Sequence, residues 1–422
     1  MILPTNASLM LTENCNLACK YCFEKHNTKI MTNEIIRKSL NYLFNNSLNS
    51  NKNSINITLF GGEPLLNIQG VKEALEYGFF LSQINNIPIS YSLITNATIM
   101  NDEVYKILRT YRDVVNLNIQ LSIDGIPDVH NKYRITKTGK PSFPLIEKNI
   151  DYFKKIYDYN INDGRLSVHG CITKETLKNV ADSYLFFRDI LNFKRIWFLA
   201  ISEEEWSKED AVEYDKQCDI IFHRYIKDIN NSSNKEVEAD NYAPFNRYNI
   251  LNCERNIPCG AGRNFISITS DGDIYPCHQI YFNDEYHDTL LGNVNEGILD
   301  EDRRKIFIKY EESDLNCGNC KNTSCYRCLA ANWIKNGSMF SQIKGNYCLM
   351  SDVERKYQEK IKNMINNNII TKKEEDICLC NSRETIHEMS NNECDIVKNN
   401  NFCNSGNNPD NINCLCDTRM CI

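Results

Sequence analysis

SLMLTENCNLACKYCF, residues 8–23, is the stretch whose reading decides the fold. Its opening, SLMLT (8–12), is a short apolar-rich run of the kind that forms a buried strand. The chain then turns polar and presents three cysteines, Cys15, Cys19 and Cys22, at x3 and x2 spacing. Thiols this close on a loop leaving a strand can converge on one site. A [4Fe–4S] cube takes four ligands, normally thiolates, so three from one loop leave one iron open to a chelating small molecule. Zinc is the competing reading, but it needs a fourth protein ligand and usually shows paired Cys/His motifs.

Outward from this stretch, β-rich runs alternate with amphipathic helical patterns. The strand-like runs are 8–12, 55–60, 89–95, 116–123, 165–173 and 195–201. Between them, 33–46, 70–84, 102–112, 144–159 and 174–191 carry apolar residues at three- and four-residue spacing. Such alternation is the mark of repeated βα units around a parallel sheet. The expected fold is therefore α/β, an open (β/α)6 TIM-like partial barrel. Two further units would be needed to close an eight-stranded barrel, and the chain after 205 reads as helical and then becomes cysteine-rich. In these folds the C-terminal strand ends hold the site, and there stand TENCN, GGEP, TN and DG.

Composition narrows the function. The 422 residues are 42% hydrophobic with a net charge of −7, enough for a large core and without the basic stripe that would favour nucleic acid or an anionic membrane. No apolar run is long enough to span a bilayer, and the N-terminus lacks the pattern of a signal peptide. A cytoplasmic location is expected. Of the 20 cysteines, 14 lie beyond residue 258, most of them closely paired. Cytosolic thiols are kept reduced, so metal or cluster ligation explains them better than disulfides. Three regions follow: a barrel core over 1–240, a cysteine-rich domain over 241–365, and an Asn/Cys-rich tail over 366–422. The tail is expected to be disordered unless a metal or the main body orders it.

The CxxxCxxC triplet, with Tyr21 and Phe23 flanking Cys22, resembles the signature of the radical S-adenosylmethionine (SAM) superfamily. The resemblance implies that the open iron chelates SAM, whose one-electron cleavage gives a 5′-deoxyadenosyl radical that abstracts a substrate hydrogen. It also implies that Gly61, Gly62 and Glu63 of GGEP meet the SAM amino group, the glycines by close backbone approach and Glu63 by its charge. Thr95 and Asn96 of LITN, and Ser122 and Asp124 of LSIDG, fall at strand ends where the family contacts SAM. Ser122 is assigned to the ribose and Arg134 to the carboxylate. Each motif alone is ordinary turn chemistry; their order after consecutive strands gives them weight.

Further on, CGAGRNFISITSDGDIYPC (259–277) places Asp271-Gly272 as a hairpin turn, and CGNCKNTSCYRC (317–328) leads to Cys348. This resembles the SPASM extension of radical SAM enzymes, a β-hairpin with helices that holds two auxiliary [4Fe–4S] clusters. Carried over by position, Cys253, Cys259, Cys277 and Cys328 would hold one cluster, and Cys317, Cys320, Cys325 and Cys348 the other. The family's middle spacing is CxxCx5Cx3C, and here it is CxxCx4CxxC. Taken alone, the CxxC pairs would suit zinc. Cys171 and Cys218 read as buried small apolar residues.

The arrangement resembles anaerobic sulfatase-maturing enzymes and maturases of ribosomally made peptides. Sulfatase maturases carry an aspartate base after the YPC cysteine; here that position is His278, which can also accept a proton near neutrality or can be structural. The departure favours peptide maturation, such as thioether cross-linking, over formylglycine formation. Only fourteen residues precede the triplet, so the substrate would be gripped by the barrel mouth and the extension, or presented by another protein. A reductant such as flavodoxin or ferredoxin is implied. The alternative from another class, a non-catalytic iron-sulfur or zinc-binding protein, has no use for GGEP, LSIDG or six βα units.

Overall fold

The structure is a computed structural model that describes residues 3–50, 52, 54–160, 164–231, 236–237, 259–282, 289–308, 328–339 and 347–372. Six parallel strands in chain order form its core: β1 (Asn6–Thr12), β2 (Ile55–Gly61), β3 (Ile89–Thr95), β4 (Leu117–Ser122), β5 (Leu166–Ile172) and β6 (Arg195–Ala200). The connecting helices are α1 (Asn33–Ser50), α2 (Ile68–Asn85), α3 (Asp102–Tyr111), α4 (Pro127–Tyr133), α5 (Phe143–Ile156) and α6 (Val180–Leu185). After β6 comes α7 (Lys208–Asn230), opened by a capping box of Ser207 and Asp210. The expected open βα barrel is present. The 174–191 stretch, expected as one helix, is instead α6 between a 3-10 turn and a π-helical turn. Helix α4 is too short to show a helical stripe in the sequence.

The remaining elements are β7 (Glu236–Val237), β8 (Phe265–Ile268), β9 (Asp273–Tyr275), α8 (His278–Tyr281), β10 (Gly292–Asn293), β11 (Gly297–Ile298), α9 (Glu301–Ile308), α10 (Leu329–Asn336), α11 (Tyr347–Asn366) and β12 (Thr371–Lys372). The hairpin β8–β9 turns at Gly272, whose φ is +87°. Strand β8 pairs in parallel with β1, so one sheet runs β11-β10-β9-β8-β1-β2-β3-β4-β5-β6. The cysteine-bearing hairpin thus extends the barrel sheet itself. At the other end, α11 packs on α7: Tyr214 Oη donates to Glu354 Oε1 at 3.0 Å and Lys356 pairs with Asp215 at 2.7 Å.

The two faces of the sheet differ. Leu9, Leu59, Leu93, Ile119 and Val168 belong to the apolar core shared with the helices. On the alternate positions, register sets Ser267, Ser8, Thr58, Ser92 and Asn118 side by side across five strands, and Ser8 Oγ donates to Ser267 Oγ at 2.8 Å. A closed eight-stranded barrel fills its interior with branched apolar layers; here a polar row crosses the inner face, with Met10, Phe60 and Ile94 beside it.

Helix α2 is held close to β3 at Gly78, where an added Cβ would lie 1.9 Å from Tyr91 Oη. That hydroxyl is buried and donates to Ala74 O at 2.6 Å, so it cannot swing away. Gly78→Ala should cost about 1–3 kcal/mol through overpacking, seen as a lower Tm, and adding Tyr91→Phe should recover part of it. An unchanged Tm would contradict this packing.

Candidate active site

The segment after β1 leaves the sheet at Thr12 and returns at Met31, whose N–H donates to Leu11 O at 2.9 Å. Thr12 Oγ1 donates to Lys29 O at 3.0 Å, closing the loop that carries the cysteine triplet. Cys15 is buried and accepts from Leu17 N–H at 3.4 Å. Cys19 is half-buried and Cys22 is exposed, its Sγ 3.6 Å from His26 Nε2. Burial pushes the Cys15 thiol up to about 12, with only partial relief from the Leu17 N–H. Burial also raises Cys19, while Arg134 opposes it.

GGEP grips this loop. Gly62 N donates to Thr12 O and Glu63 N to Asn14 O, each at 2.9 Å. Gly61 has φ +120°, and an added Cβ would lie 2.1 Å from Thr12 O; at Gly62 it would lie 2.3 Å from Asn14 O. Only glycine allows these approaches. The Glu63 side chain, fully buried, turns into the protein: Oε1 accepts from Leu65 N at 3.0 Å and Thr95 Oγ1 at 2.8 Å, and Oε2 from Asn96 N at 2.7 Å. Asn96 in turn reaches the triplet, donating to Asn16 Oδ1 at 2.9 Å with its Nδ2 3.8 Å from Cys15 Sγ. Burial raises Glu63 from 4.5 to about 7.

Beyond β4, Asp124 is a buried hub. It accepts from Arg134 Nε at 2.9 Å, from Cys171 N at 3.0 Å and from the Tyr21 hydroxyl. Burial works against its ionisation, but the Arg134 charge, with the hydrogen bonds from Tyr21 and the Cys171 N–H, outweighs this and holds it below the usual carboxylate range. Burial takes His130 down to about 4, so the ring is neutral; its Nδ1 accepts from Asp124 N at 3.3 Å. Arg134 also lies 5.4 Å from the Tyr21 ring centroid. Ser122 ends β4 close by. Cys218 is fully buried on α7 as expected, but Cys171 is only half-buried, with Sγ 3.9 Å from Arg134 Nη2. Its sequence signal lay in the alternation of β5, which puts Cys171 on the same face as Ser167 and His169.

Across the hairpin, Cys259, Cys277 and Cys328 come together. Cys277 and Cys328 share one small core and Cys259 packs against it; burial raises the Cys328 thiol and the other two add to the shift. Cys348 lies in the first turn of α11. Cys253, Cys317, Cys320 and Cys325, with the tail beyond 372, lie outside the described residues. His278 is 1% exposed. Its ring centroid stands 4.4 Å from that of Phe60 and 5.9 Å from that of Phe23, so the residue after Cys277 packs on the residue after Cys22. Tyr281 Oη donates to Glu13 Oε1 at 3.0 Å, a tie across 268 residues that no local sequence signal announces. Among the described residues, no three Cys, His, Asp or Glu side chains are close enough to share one metal ion.

An open βα barrel with a thiol triplet at its mouth, and a second thiol group on an appended hairpin, is the arrangement that an iron-sulfur protein with a site for a small cofactor needs. The model of the radical SAM superfamily matches residues 9–187, and that of the SPASM iron-sulfur cluster-binding domain matches 259–328. The chain is 27% identical over 330 residues to a cysteine-type anaerobic sulfatase-maturating enzyme of Clostridium novyi, covering 73% of this chain and 83% of that one. It is 31% identical over 300 residues to an uncharacterised protein of Methanocaldococcus jannaschii, covering 68% and 88%. It is 23% identical over 382 residues to the radical SAM cyclopropyl synthase TigE of Paramaledivibacter caminithermalis, covering 84% and 74%. The fold is shared with anSMEcpe bound to AdoMet and the Kp18Cys peptide (TM-score 0.67, 22% identity, 86% and 99% covered). It is shared also with Streptococcus suis SuiB bound to precursor peptide SuiA (TM-score 0.52, 16% identity, 82% and 76% covered). This chain belongs to the radical SAM superfamily and carries a SPASM domain, so its cofactors are [4Fe–4S] clusters and SAM.

The donor set fits those clusters. Thiols that burial keeps protonated need a cation to ionise, and iron supplies that charge while protons are released. Cys19→Ala should therefore lower the iron content of the reconstituted protein by about one cluster's worth, about four irons, and Cys277→Ala should remove a different cluster. Full iron loading in either variant would contradict the assignment. Glu63 gives a pH signature. Between about 4.5 and 7 it is protonated in the folded state and ionised in the unfolded one, so stability falls as pH rises through that window and levels off above it. Thermal unfolding of the metal-free protein should show a shallower fall for Glu63→Gln than for wild type; equal slopes would refute this.

Proposed function

We propose that this radical SAM enzyme is a maturase of a ribosomally made peptide, forming a new bond such as a thioether between a Cys sulfur and a peptide carbon. The observation that carries the reading is His278. At the position where resemblance to sulfatase maturases implies an aspartate base, this chain has a buried ring packed against Phe60 and Phe23, which suits packing better than proton transfer. Support comes also from the solved neighbours, anSMEcpe and SuiB, which bind peptides, and from the polar row across the inner face of the sheet, suited to a hydrogen-bonding chain.

When bound, these cofactors supply reductive cleavage of SAM to a hydrogen-abstracting 5′-deoxyadenosyl radical. Cys15, Cys19 and Cys22 would hold the first cluster and leave one iron for SAM. Gly61 and Gly62 would let backbone reach the SAM amino group, since the Glu63 carboxylate is engaged by Thr95, Leu65 and Asn96. Thr95 and Asn96 would fix that turn against the triplet. Ser122 would take the ribose. Arg134, oriented through Nε by Asp124, keeps further N–H donors for the SAM carboxylate. Cys253, Cys259, Cys277 and Cys328 would hold one auxiliary cluster, and Cys317, Cys320, Cys325 and Cys348 the other. Flavodoxin or ferredoxin would supply electrons.

A second reading, oxidation of a Cys or Ser side chain to formylglycine, is favoured by the likeness to the Clostridium novyi sulfatase maturase. The two separate at His278. With dithionite, SAM and small cysteine-rich peptides encoded beside the gene, the wild type should give 5′-deoxyadenosine and a peptide lighter by two hydrogens, and His278→Phe should stay within about tenfold. A loss of more than about a hundredfold with clusters intact would be the mark of a lost general base and would favour formylglycine. Absence of 5′-deoxyadenosine would sink both.

A further inference from the structure

The outer side of the cluster loop is basic on a chain whose net charge is −7. Residues 17–20 run antiparallel to 133–136: Leu17 bridges Thr136, Ala18 N donates to Ile135 O at 2.8 Å, and Lys20 N to Tyr133 O at 2.9 Å. A tight turn follows, with Thr136 N donating to Lys140 O at 2.9 Å and Gly139 N to Thr136 O at 2.8 Å. These two paired segments and their flanks carry Lys20, Lys25, Lys29, Lys132, Lys137 and Lys140, all but the half-buried Lys132 exposed. Of the acidic groups nearest in sequence, Glu13 and Asp124 are buried, Glu24 is half-buried and Asp128 alone is exposed. Lys29 pairs with Asp271 and Lys132 with Glu175. Lys20 lies 5.8 Å from the Tyr133 ring centroid and Lys137 Nζ donates to the neutral Asn14 Oδ1 at 3.0 Å. A net positive face therefore remains, fixed to the backbone that carries Cys19 and Cys22.

We propose that this lysine face docks an acidic one-electron carrier protein of the flavodoxin or ferredoxin class. The inference rests on the radical SAM reading above, which requires one electron for each SAM cleaved. The carrier loses one electron and the cluster on Cys15, Cys19 and Cys22 gains it; no bond forms or breaks in this transfer. A carrier fits the face better than an acidic peptide substrate does. Lys20 follows Cys19 directly, so a protein seated here lies against the cluster loop, whereas a substrate must reach the inner face of the sheet. Complementary charge also speeds encounter, which a transient electron donor needs.

The test uses the full-length reconstituted enzyme and follows cluster reduction by stopped-flow absorbance, with reduced flavodoxin or with dithionite. With flavodoxin the wild-type rate should fall at least about tenfold as ionic strength rises from about 0.05 to 0.3 M. Lys137→Glu/Lys140→Glu should slow the flavodoxin reaction by a similar factor, and Lys137→Gln/Lys140→Gln by less. Reduction by dithionite should not change in either variant. A flavodoxin rate insensitive to salt and to charge reversal would overturn the proposal. So would a variant that loses affinity for an acidic substrate peptide while flavodoxin reduces it normally. If dithionite-reduced wild type cleaves no SAM, the functional reading falls, while the cluster reduction rates still decide the docking face.

Discussion

Two backbones touch at the mouth of this barrel, and the rest of the site hangs from that contact. Gly61 and Gly62 lie so close to Thr12 and Asn14 that no side chain fits between them, and two N–H groups seal the contact at 2.9 Å. A loop of some eighteen residues is thereby fixed at its departure from the sheet, while Met31 on Leu11 and Lys29 on Thr12 and Glu13 fix its return. Three thiols can converge on one small cofactor site only if that loop has one shape. The loop gains this shape from the end of a neighbouring strand together with its own closing bonds, consistent with rigid strands positioning functional loops.

Around the contact, burial sets the chemistry. Glu63 gives up solvent and takes three hydrogen bonds, two of which bind the ends of β2 and β3 together. Asp124 does the same for Tyr21, Arg134 and the C-terminal end of β5 at Cys171. Buried polar groups of this kind are costly unless satisfied, and here they are satisfied by the groups that surround the triplet. The hairpin closes the arrangement from the other side through His278 on Phe60 and Tyr281 on Glu13. The two cysteine-bearing regions therefore share one sheet and one packed seam.

Much of this was legible in the sequence. ISYSLIT reads as β3 from end to end, and the other core strands fall within two residues of their alternating runs. The triplet, GGEP and the Asp271-Gly272 turn are local signals with local causes. What the sequence hid depends on distance along the chain. The parallel addition of β8 to β1 leaves no mark in either segment, and Glu13 and Tyr281 meet only in the fold. Composition alone makes Cys171 a small apolar residue; its half-buried place on the inner face follows from the register of β5. The inward turn of the Glu63 carboxylate also needed the structure, because its partners Thr95 and Asn96 belong to the next strand.

The claim on which everything rests is that Cys15, Cys19 and Cys22 hold a cluster with an iron free for SAM. Electron paramagnetic resonance of the reduced, reconstituted protein tests it without any substrate. Adding SAM should shift the signal of one cluster, and that shift should be missing in Cys22→Ala while the remaining cluster signals persist. A spectrum unmoved by SAM, or a shift that survives in Cys22→Ala, would contradict the account.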